Sequence, residues 1–311
     1  MTRQVAVLKG GTSAEREVSL VSGAACAAAL REAGYTVDEI EVTEDVGALV
    51  RALTSPPRPD VVFNALHGRW GEDGCVQGLL ELLHLPYTHS GVMASATAMN
   101  KQRTKDLVAA QGVTSPEGIV VRREDLLKGE VMEPPYVVKP LREGSSVGVR
   151  IVRKGDNRPR LEDTDWAYGE ELLVERFIAG RELTVSVMGE RALAVTEIRP
   201  REGFYDYTAK YTDGRADHVI PAPVPDSITA AALEGAEAVH RTLGCRGVTR
   251  SDFRYDDTRV KNGEAGDLYF LEVNTQPGMT PLSLVPEQAA HLGMSFAELC
   301  TWMVENAACD S

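Results

Sequence analysis

The sequence predicts an α/β protein with a parallel sheet at its N-terminus, and two observations support this. Short apolar runs at 5–8, 37–42 and 61–63 alternate with helical patterns at 18–30 and 76–83. Glycines follow the first apolar run, and Gly34 follows the first helical pattern as a stop signal. Strands that alternate with helices along a chain favour a parallel sheet covered by helices.

The length and composition are typical of a globular protein with more than one domain. The chain has 311 residues, of which 43% are hydrophobic and 25% are charged. Its 33 Lys and Arg against 46 Asp and Glu give a formal net charge of −13, which disfavours a surface that coats nucleic acid. The first apolar run is too short for a signal peptide or membrane span, and the five cysteines form no CxxC motif. We therefore expect a cytoplasmic protein without nucleic-acid or membrane partners.

The rest of the chain predicts one long helix and two further groups of strands. The helix runs from Met93 to Ala110, and strand-like runs follow at 119–121, 136–139, 147–152 and 172–177. The last third predicts a hairpin at 183–198, a helix at 226–243, paired strands at 248–255 and 267–273, and a capping box at 295–298. Segment 203–215 lacks periodicity and combines aromatics with a lysine, which suggests a lid, and a surface loop pinned by tyrosine packing remains the alternative. Boundaries near Ala94 and Gly180 divide the chain into domains 1–94, 95–180 and 181–311.

Three segments combine glycine with polar residues directly after predicted strands. They are GGTSAERE at 10–17, HGRWGEDG at 67–74 and KPLREGSSVG at 139–148. Glycine lets the backbone approach a ligand closely, and a loop with hydroxyls and free N–H groups suits phosphate oxygens. A lysine that closes an apolar strand, as Lys139 does, needs an anionic partner. Considered singly, an ordinary turn, a surface histidine at His67 and an exposed hairpin remain the alternatives.

The C-terminal strand pair predicts a metal site. If the two strands are neighbours, four polar residues converge on one face, because residues i and i+2 of a strand share a face. These residues are Arg250 and Asp252 on one strand and Glu272 and Asn274 on the next. Leu271 would then point into the core. Carboxylate and amide oxygens suit Mg²⁺. The alternative is a solvated face with a surface salt bridge, but the turn at 275–280 favours a site because it supplies backbone donors.

Taken together and in this order, the segments resemble the D-alanine–D-alanine ligase family of the ATP-grasp superfamily. The resemblance spans nearly the whole chain, through GGTSAEREVSL, HGRWGEDG, PYTHSGVMASA, VVKPLREGSSVG, YDYTAKY and LEVNTQPGMTPLSLVP. It implies a three-domain ATP-grasp fold with ATP between the central and C-terminal domains. It also implies ATP-dependent ligation of two D-alanine molecules to D-alanyl-D-alanine, through an acyl phosphate, for peptidoglycan synthesis.

The resemblance further implies roles for individual residues. Nucleotide binding falls to Lys101, Lys139, Ser146, Glu175, Ile178 and Glu182. Two Mg²⁺ or Mn²⁺ ions would be held by Asp252, Glu272 and Asn274, with K⁺ as an additional candidate cation. Catalytic roles fall to Glu15, Ser145, Tyr211, Arg250 and Gly278, and amino-acid binding falls to His67, Lys210 and Ser283. The family is commonly dimeric, so a homodimer is the candidate assembly.

The sequence leaves two alternatives open. The same machinery could use D-lactate or D-serine as the acceptor, and the tyrosine-bearing segment around Tyr211 favours D-alanine instead. A nucleotide-binding regulatory module without turnover is the other alternative, and the complete set of Arg250, Asp252, Glu272 and Asn274 argues against it. Gln276 departs from the family pattern, in which other members carry Ser.

Overall fold

The N-terminal region forms the predicted parallel sheet. The computed structural model describes residues 3–129, 131–144, 148–155, 169–201, 216–260, 266–280 and 283–310. The elements of this region are β1 (Gln4–Gly10), α1 (Arg16–Glu32), β2 (Thr36–Val42), α2 (Val46–Thr54), β3 (Val61–Asn64) and α3 (Cys75–Leu82). The strands lie in the order β2-β1-β3, and both pairs are parallel. The central strand β1 is covered on both faces, which explains its continuous apolar run.

A break at Asn100 divides the region predicted as one helix into two. Helix α4 spans Val92–Met99 and helix α5 spans Lys101–Ala109. The backbone of Asn100 is extended, and its side chain accepts a hydrogen bond from the N–H of Arg103 at 3.1 Å. The prediction of a single helix was therefore wrong, because an Asn N-cap starts a new helix inside the helical pattern. The break makes Lys101 the first residue of α5.

The middle of the chain forms an antiparallel sheet with one apolar face. Its elements are β4 (Gly118–Arg122), α6 (Arg123–Lys128), β5 (Tyr136–Pro140), β6 (Arg150–Val152) and β7 (Glu171–Arg176), and the strand order is β4-β7-β5-β6. Tyr136, Val138 and Val174 form a core with Leu126 of α6. Because side chains alternate along a strand, Lys139 and its neighbours on the other face are left to build a site.

The C-terminal part forms a second antiparallel sheet and confirms the predicted hairpin, helix and strand pair. The strands are β8 (Arg181–Met188), β9 (Arg191–Pro200), β10 (Ala216–Val219), β11 (Val248–Asp256) and β12 (Asp267–Asn274), in the order β10-β9-β8-β11-β12. The helices are α7 (Asp226–Thr242), α8 (Leu284–His291) and α9 (Phe296–Glu305). Ile228 and Val239 of α7 pack with Leu183 and Phe253 of the sheet. Ser295 and Glu298 form the predicted capping box of α9.

The last helices pack on the N-terminal sheet. Val5 and Phe63 of that sheet share a core with Val285 of α8 and with Leu299 and Met303 of α9. The chain that follows β12 therefore returns to the loop that follows β3. This return brings the predicted C-terminal site residues towards those of the N-terminal loops.

All five cysteines are free thiols, and Cys26 and Cys300 are buried in the core that α9 shares with the N-terminal sheet. Within the described ranges, no helix has both the length and the apolar character that a membrane span requires.

We expect Asn100→Ala to lower the free energy of unfolding by about 1 kcal/mol, because it removes the N-cap of α5. Urea denaturation measures the change. Asp45→Ala is the matched control, since Asp45 caps α2 by accepting a hydrogen bond from the N–H of Ala48 at 2.9 Å. A destabilised Asp45 variant beside an unchanged Asn100 variant would contradict the capping role of Asn100.

Candidate active site

Strands β11 and β12 bring the four predicted polar residues together. The strands are antiparallel neighbours, with Arg250 opposite Asn274 and Asp252 opposite Glu272. Directly opposite residues of an antiparallel pair project from the same face. The predicted convergence of these side chains is therefore confirmed.

A β-bulge next to this cluster redirects Leu271. The pairing register shifts between Asp252 and Phe253, so that Phe253 pairs with Phe270 and Leu271 has no directly opposite residue. Leu271 lines a cavity beside Glu272. The prediction that Leu271 points into the core was wrong, because a bulge interrupts the regular alternation of side chains.

Cationic side chains hold both carboxylates of the pair. Arg250 donates from Nε and Nη2 to the two oxygens of Asp252, each at 3.0 Å. The hydroxyl of Thr184 on β8 donates to the same carboxylate at 2.7 Å. Nζ of Lys101 lies 3.3 Å from Oε2 of Glu272. A bidentate arginine fixes the plane of a carboxylate as well as its position, so Asp252 is held in one orientation.

One cavity between the middle and C-terminal sheets collects most of the residues predicted to bind nucleotide. Its charged lining comprises Lys101, Lys139, Glu143, Glu175, Arg176, Glu182, Asp252, Arg254 and Glu272. Its apolar lining comprises Val137, Pro140, Val149, Phe177, Ile178 and Leu271. This lining suits a ligand with a flat base and a polyphosphate, because the apolar side chains can pack on the base and the lysines can pair with the phosphates.

Glu175 is buried in this cavity between two lysines. Its Oε1 lies 2.5 Å from Nζ of Lys139, and its Oε2 accepts a hydrogen bond from Nζ of Lys105. Burial opposes ionisation of Glu175, but the two ammonium groups hold the pKa of its carboxyl below the usual value. Burial, together with repulsion from Lys139, lowers the pKa of Lys105 to about 8. Lys105 was not predicted as a site residue, although it lies one helical turn after Lys101 and so on the same side of α5.

Arg254 fixes the segment that connects the two sheets. Its Nε donates to the carbonyl of Ile178 at 3.3 Å, and its Nη2 donates to the carbonyl of Gly180 at 2.7 Å. Its Nη1 lies 3.5 Å from Oε2 of Glu182. Arg254 was also missed, although it stands two residues after Asp252 on the same face of β11.

A second group of charged residues lies in the N-terminal loops around His67. Nδ1 of His67 is 3.4 Å from Oε1 of Glu72, and Nε2 of His67 is 3.2 Å from Oγ of Ser22. Burial opposes protonation of His67, but the carboxylates of Glu72 and Glu15 raise its pKa above the usual value. Burial and the charge of Glu15 raise the pKa of the Glu72 carboxyl. His67 is only 4% exposed, which excludes the surface-histidine alternative.

Glu143 lies where the two groups meet. It lines the cavity, and its backbone carbonyl accepts a hydrogen bond from Nζ of Lys101. Burial and the charge of Glu15 raise the pKa of its carboxyl. A Cβ atom on Gly144 would lie 3.3 Å from Oε2 of Glu15. The residues predicted to bind nucleotide and those predicted to bind the amino acid are therefore adjacent. Glu15 lies beside the start of the loop after Lys139.

The turn after β12 places Gly278 beside Ser283. Oγ of Ser283 accepts a hydrogen bond from the N–H of Thr280 at 3.0 Å, and α8 begins at the next residue. A Cβ atom on Gly278 would lie 3.0 Å from this hydroxyl, so glycine permits the close approach. Oδ1 of Asn274 accepts a hydrogen bond from the N–H of Gln276 at 2.8 Å. The turn is thereby attached to the end of β12.

The oxygen atoms of Asp252, Glu272 and Asn274 suit a hard divalent cation. Mg²⁺ is usually held by one or two protein carboxylates together with substrate phosphates and water. In the described part of the chain, no cluster of three or more His, Cys, Asp or Glu is arranged to hold a metal by itself. The oxygen donors of these three residues are of the kind that completes the coordination of Mg²⁺ together with phosphates.

Four predicted site residues lie outside the described residues. They are Ser145, Ser146, Lys210 and Tyr211. The predicted lid at 203–215 lies outside them as well. Their roles stay predictions.

Two family models match successive parts of the chain. The model described as "D-ala D-ala ligase N-terminus" matches residues 47–90, and the model described as "D-ala D-ala ligase C-terminus" matches residues 107–305. The chain is 58% identical to the D-alanine–D-alanine ligase of Parvibaculum lavamentivorans, over 99% of this chain and 98% of the relative. It is also 58% identical to that of Acidiphilium cryptum, over 99% of each chain.

Solved structures agree with these matches. D-alanine–D-alanine ligase from Bacillus anthracis superposes with a TM-score of 0.82 at 31% identity, covering 98% of this chain and 97% of that one. The same ligase complexed with ATP gives 0.79 at 31% identity with the same coverage. The VanG D-Ala:D-Ser ligase from Enterococcus faecalis gives 0.78 at 27% identity, covering 98% and 99%. The resemblance and the ATP-grasp fold are thereby confirmed, and the chain belongs to the D-alanine–D-alanine ligase family.

Proposed function

We propose that the protein joins two D-alanine molecules to D-alanyl-D-alanine at the expense of ATP, as a step of peptidoglycan synthesis. The observation that carries the proposal is the cavity in which Lys101 faces the Asp252–Glu272 pair beside an apolar wall. The buried His67 and Glu15 group next to this cavity supports an amino-acid substrate. The relatives named above at 58% identity are D-alanine–D-alanine ligases.

Within this function, the cavity residues bind ATP. Lys101 and Lys139 neutralise the phosphates, Glu182 binds the ribose, and Glu175 with Ile178 contacts the base. Asp252, Glu272 and Asn274 would hold Mg²⁺ or Mn²⁺, which when bound neutralises phosphate charge. Transfer of the γ-phosphoryl group of ATP depends more on positioning and charge compensation than on a protein nucleophile.

The residues proposed to bind D-alanine then serve the two chemical steps. The carboxylate of the first D-alanine takes the γ-phosphoryl group and becomes an acyl phosphate, while ADP leaves. The amine of the second D-alanine attacks the acyl carbon, and inorganic phosphate leaves. Glu15 holds the ammonium of the first substrate. Arg250 and the N–H of Gly278 stabilise the oxyanion of the tetrahedral intermediate, and one well-placed donor contributes about 3–4 kcal/mol in comparable sites.

The proposal includes the organisation of the chain. The sheets β1–β3, β4–β7 and β8–β12 fall within the predicted domains 1–94, 95–180 and 181–311. We propose these three units as the domains, with the cavity between the second and third. A homodimer and a cytoplasmic location complete the proposal.

The full chain with Mg·ATP and D-alanine tests the function. We expect one ADP and one phosphate per dipeptide, measured by a coupled ADP assay and by mass spectrometry of the product, and no turnover with L-alanine. Preferred use of D-serine or D-lactate as the second substrate would reassign the acceptor. An absence of phosphate release would favour a regulatory module.

We expect Glu272→Gln to lower kcat by about 100-fold or more, because it removes a charge from the carboxylate pair that faces Lys101. Initial rates at saturating ATP and D-alanine measure the loss. Glu39→Gln is the matched control, since it also removes a carboxylate from a lysine pair, with Lys9 at 2.5 Å outside the cavity. Substantial residual activity of the Glu272 variant would refute its proposed role.

We expect the pKa of His67 to lie above the usual 6.5, and Glu72→Gln to lower it by removing the nearest carboxylate. NMR titration of the imidazole C–H signals measures both values. His89 is an internal reference, because burial lowers its pKa to about 3 and its ring should stay neutral throughout. A His67 that titrates below 6.5, or that does not respond to Glu72→Gln, would contradict the assigned pairing.

A further inference from the structure

The side chain of Gln276 connects the two ends of the candidate site. Gln276 is only 1% exposed. Its Oε1 accepts a hydrogen bond from Nδ2 of Asn64 at 2.7 Å, and its Nε2 donates to the backbone carbonyl of Leu66. Asn64 is the last residue of β3, and Leu66 directly precedes His67. A side chain from the C-terminal turn therefore holds the start of the N-terminal loop.

The backbone of Gln276 contacts one candidate site residue and influences another. Its N–H donates to Oδ1 of Asn274, the candidate metal ligand, at 2.8 Å. Burial opposes protonation of His67, and the backbone of Gln276 contributes, after the two nearby carboxylates, to the raised pKa of this histidine. One buried residue thus contacts both the strand end that carries Asn274 and the loop that carries His67.

A second buried glutamine in the same region makes a different set of contacts. Nε2 of Gln77 donates to the carbonyl of Gly71 at 2.7 Å, and Nδ2 of Asn64 donates to the same carbonyl at 3.1 Å. Gln77 therefore braces the loop from within the N-terminal region. Gln276 braces it against the turn that carries Gly278.

We propose that Gln276 is a positioning residue for the amino-acid substrates. This proposal rests on the proposed ligase function. The amide of Gln276 sets the separation between the His67 loop and the Gly278 turn. Removing the amide leaves one N–H of the Asn64 side chain and the carbonyl of Leu66 without their hydrogen-bond partners from Gln276. Unsatisfied buried polar groups of this kind favour rearrangement of the loop. Gln276 does not line the nucleotide cavity, so the ATP site keeps its shape.

Gln276→Leu tests this proposal, because leucine is similar in size but forms no side-chain hydrogen bond. We expect the KM for D-alanine to rise about tenfold while the KM for ATP stays within about twofold. Gln77→Leu is the matched control, and we expect it to leave the KM for D-alanine within about threefold, since Asn64 still donates to Gly71. Steady-state kinetics of the full chain, with D-alanine or ATP varied, give these KM values.

Equal rises in both KM values of Gln276→Leu would overturn the proposal, as would equal effects of the two leucine variants. Gln276→Glu keeps the acceptor oxygen for Asn64 and loses the donor to Leu66. It replaces the leucine variant if thermal denaturation shows that variant to be unfolded, and the same KM split is expected.

A wild-type chain that forms no dipeptide overturns the ligase function and this proposal together. An active wild type with an unchanged KM in the variants overturns this proposal alone.

Discussion

The antiparallel register of β11 and β12 is the constraint on which the candidate site depends. It sets Asp252 directly opposite Glu272, and a slip of one residue would turn one of the two carboxylates to the opposite face. β8 pairs with β11 along nearly its whole length and reinforces this register. Thr184 of β8 also donates a hydrogen bond to Asp252. The carboxylates are thus placed by paired backbone, which holds side chains more rigidly than a loop does.

The site also pairs two of its buried carboxylates with cationic side chains. Asp252 is paired with Arg250, and the carboxylate of Glu175 lies between Lys105 and Lys139. A buried charge without a partner would be strongly destabilising, so these pairs make a highly charged cavity compatible with a stable fold. They also hold the charges in fixed orientations, which is the preorganisation that stabilises developing charge in a reaction.

Local patterns predicted most of the strands and helices, and they predicted the convergence of Asp252 with Glu272, because alternation and spacing are properties of short segments. They failed where a single residue interrupts a pattern, as Asn100 does between α4 and α5 and Leu271 does in β12. Lys105 and Arg254 were missed for another reason. Their importance arises from contacts with residues distant in the chain, Glu175 and Ile178, which no local pattern contains.

The packing of the final helices on the first sheet has a consequence for how the chain folds during synthesis. The face of that sheet that carries Val5 and Phe63 is completed by residues between Met279 and Val304. The first strands to leave the ribosome therefore expose apolar surface until almost the entire polypeptide has been made. Contacts between such distant segments form slowly, so the nascent N-terminal region is exposed to aggregation during that interval.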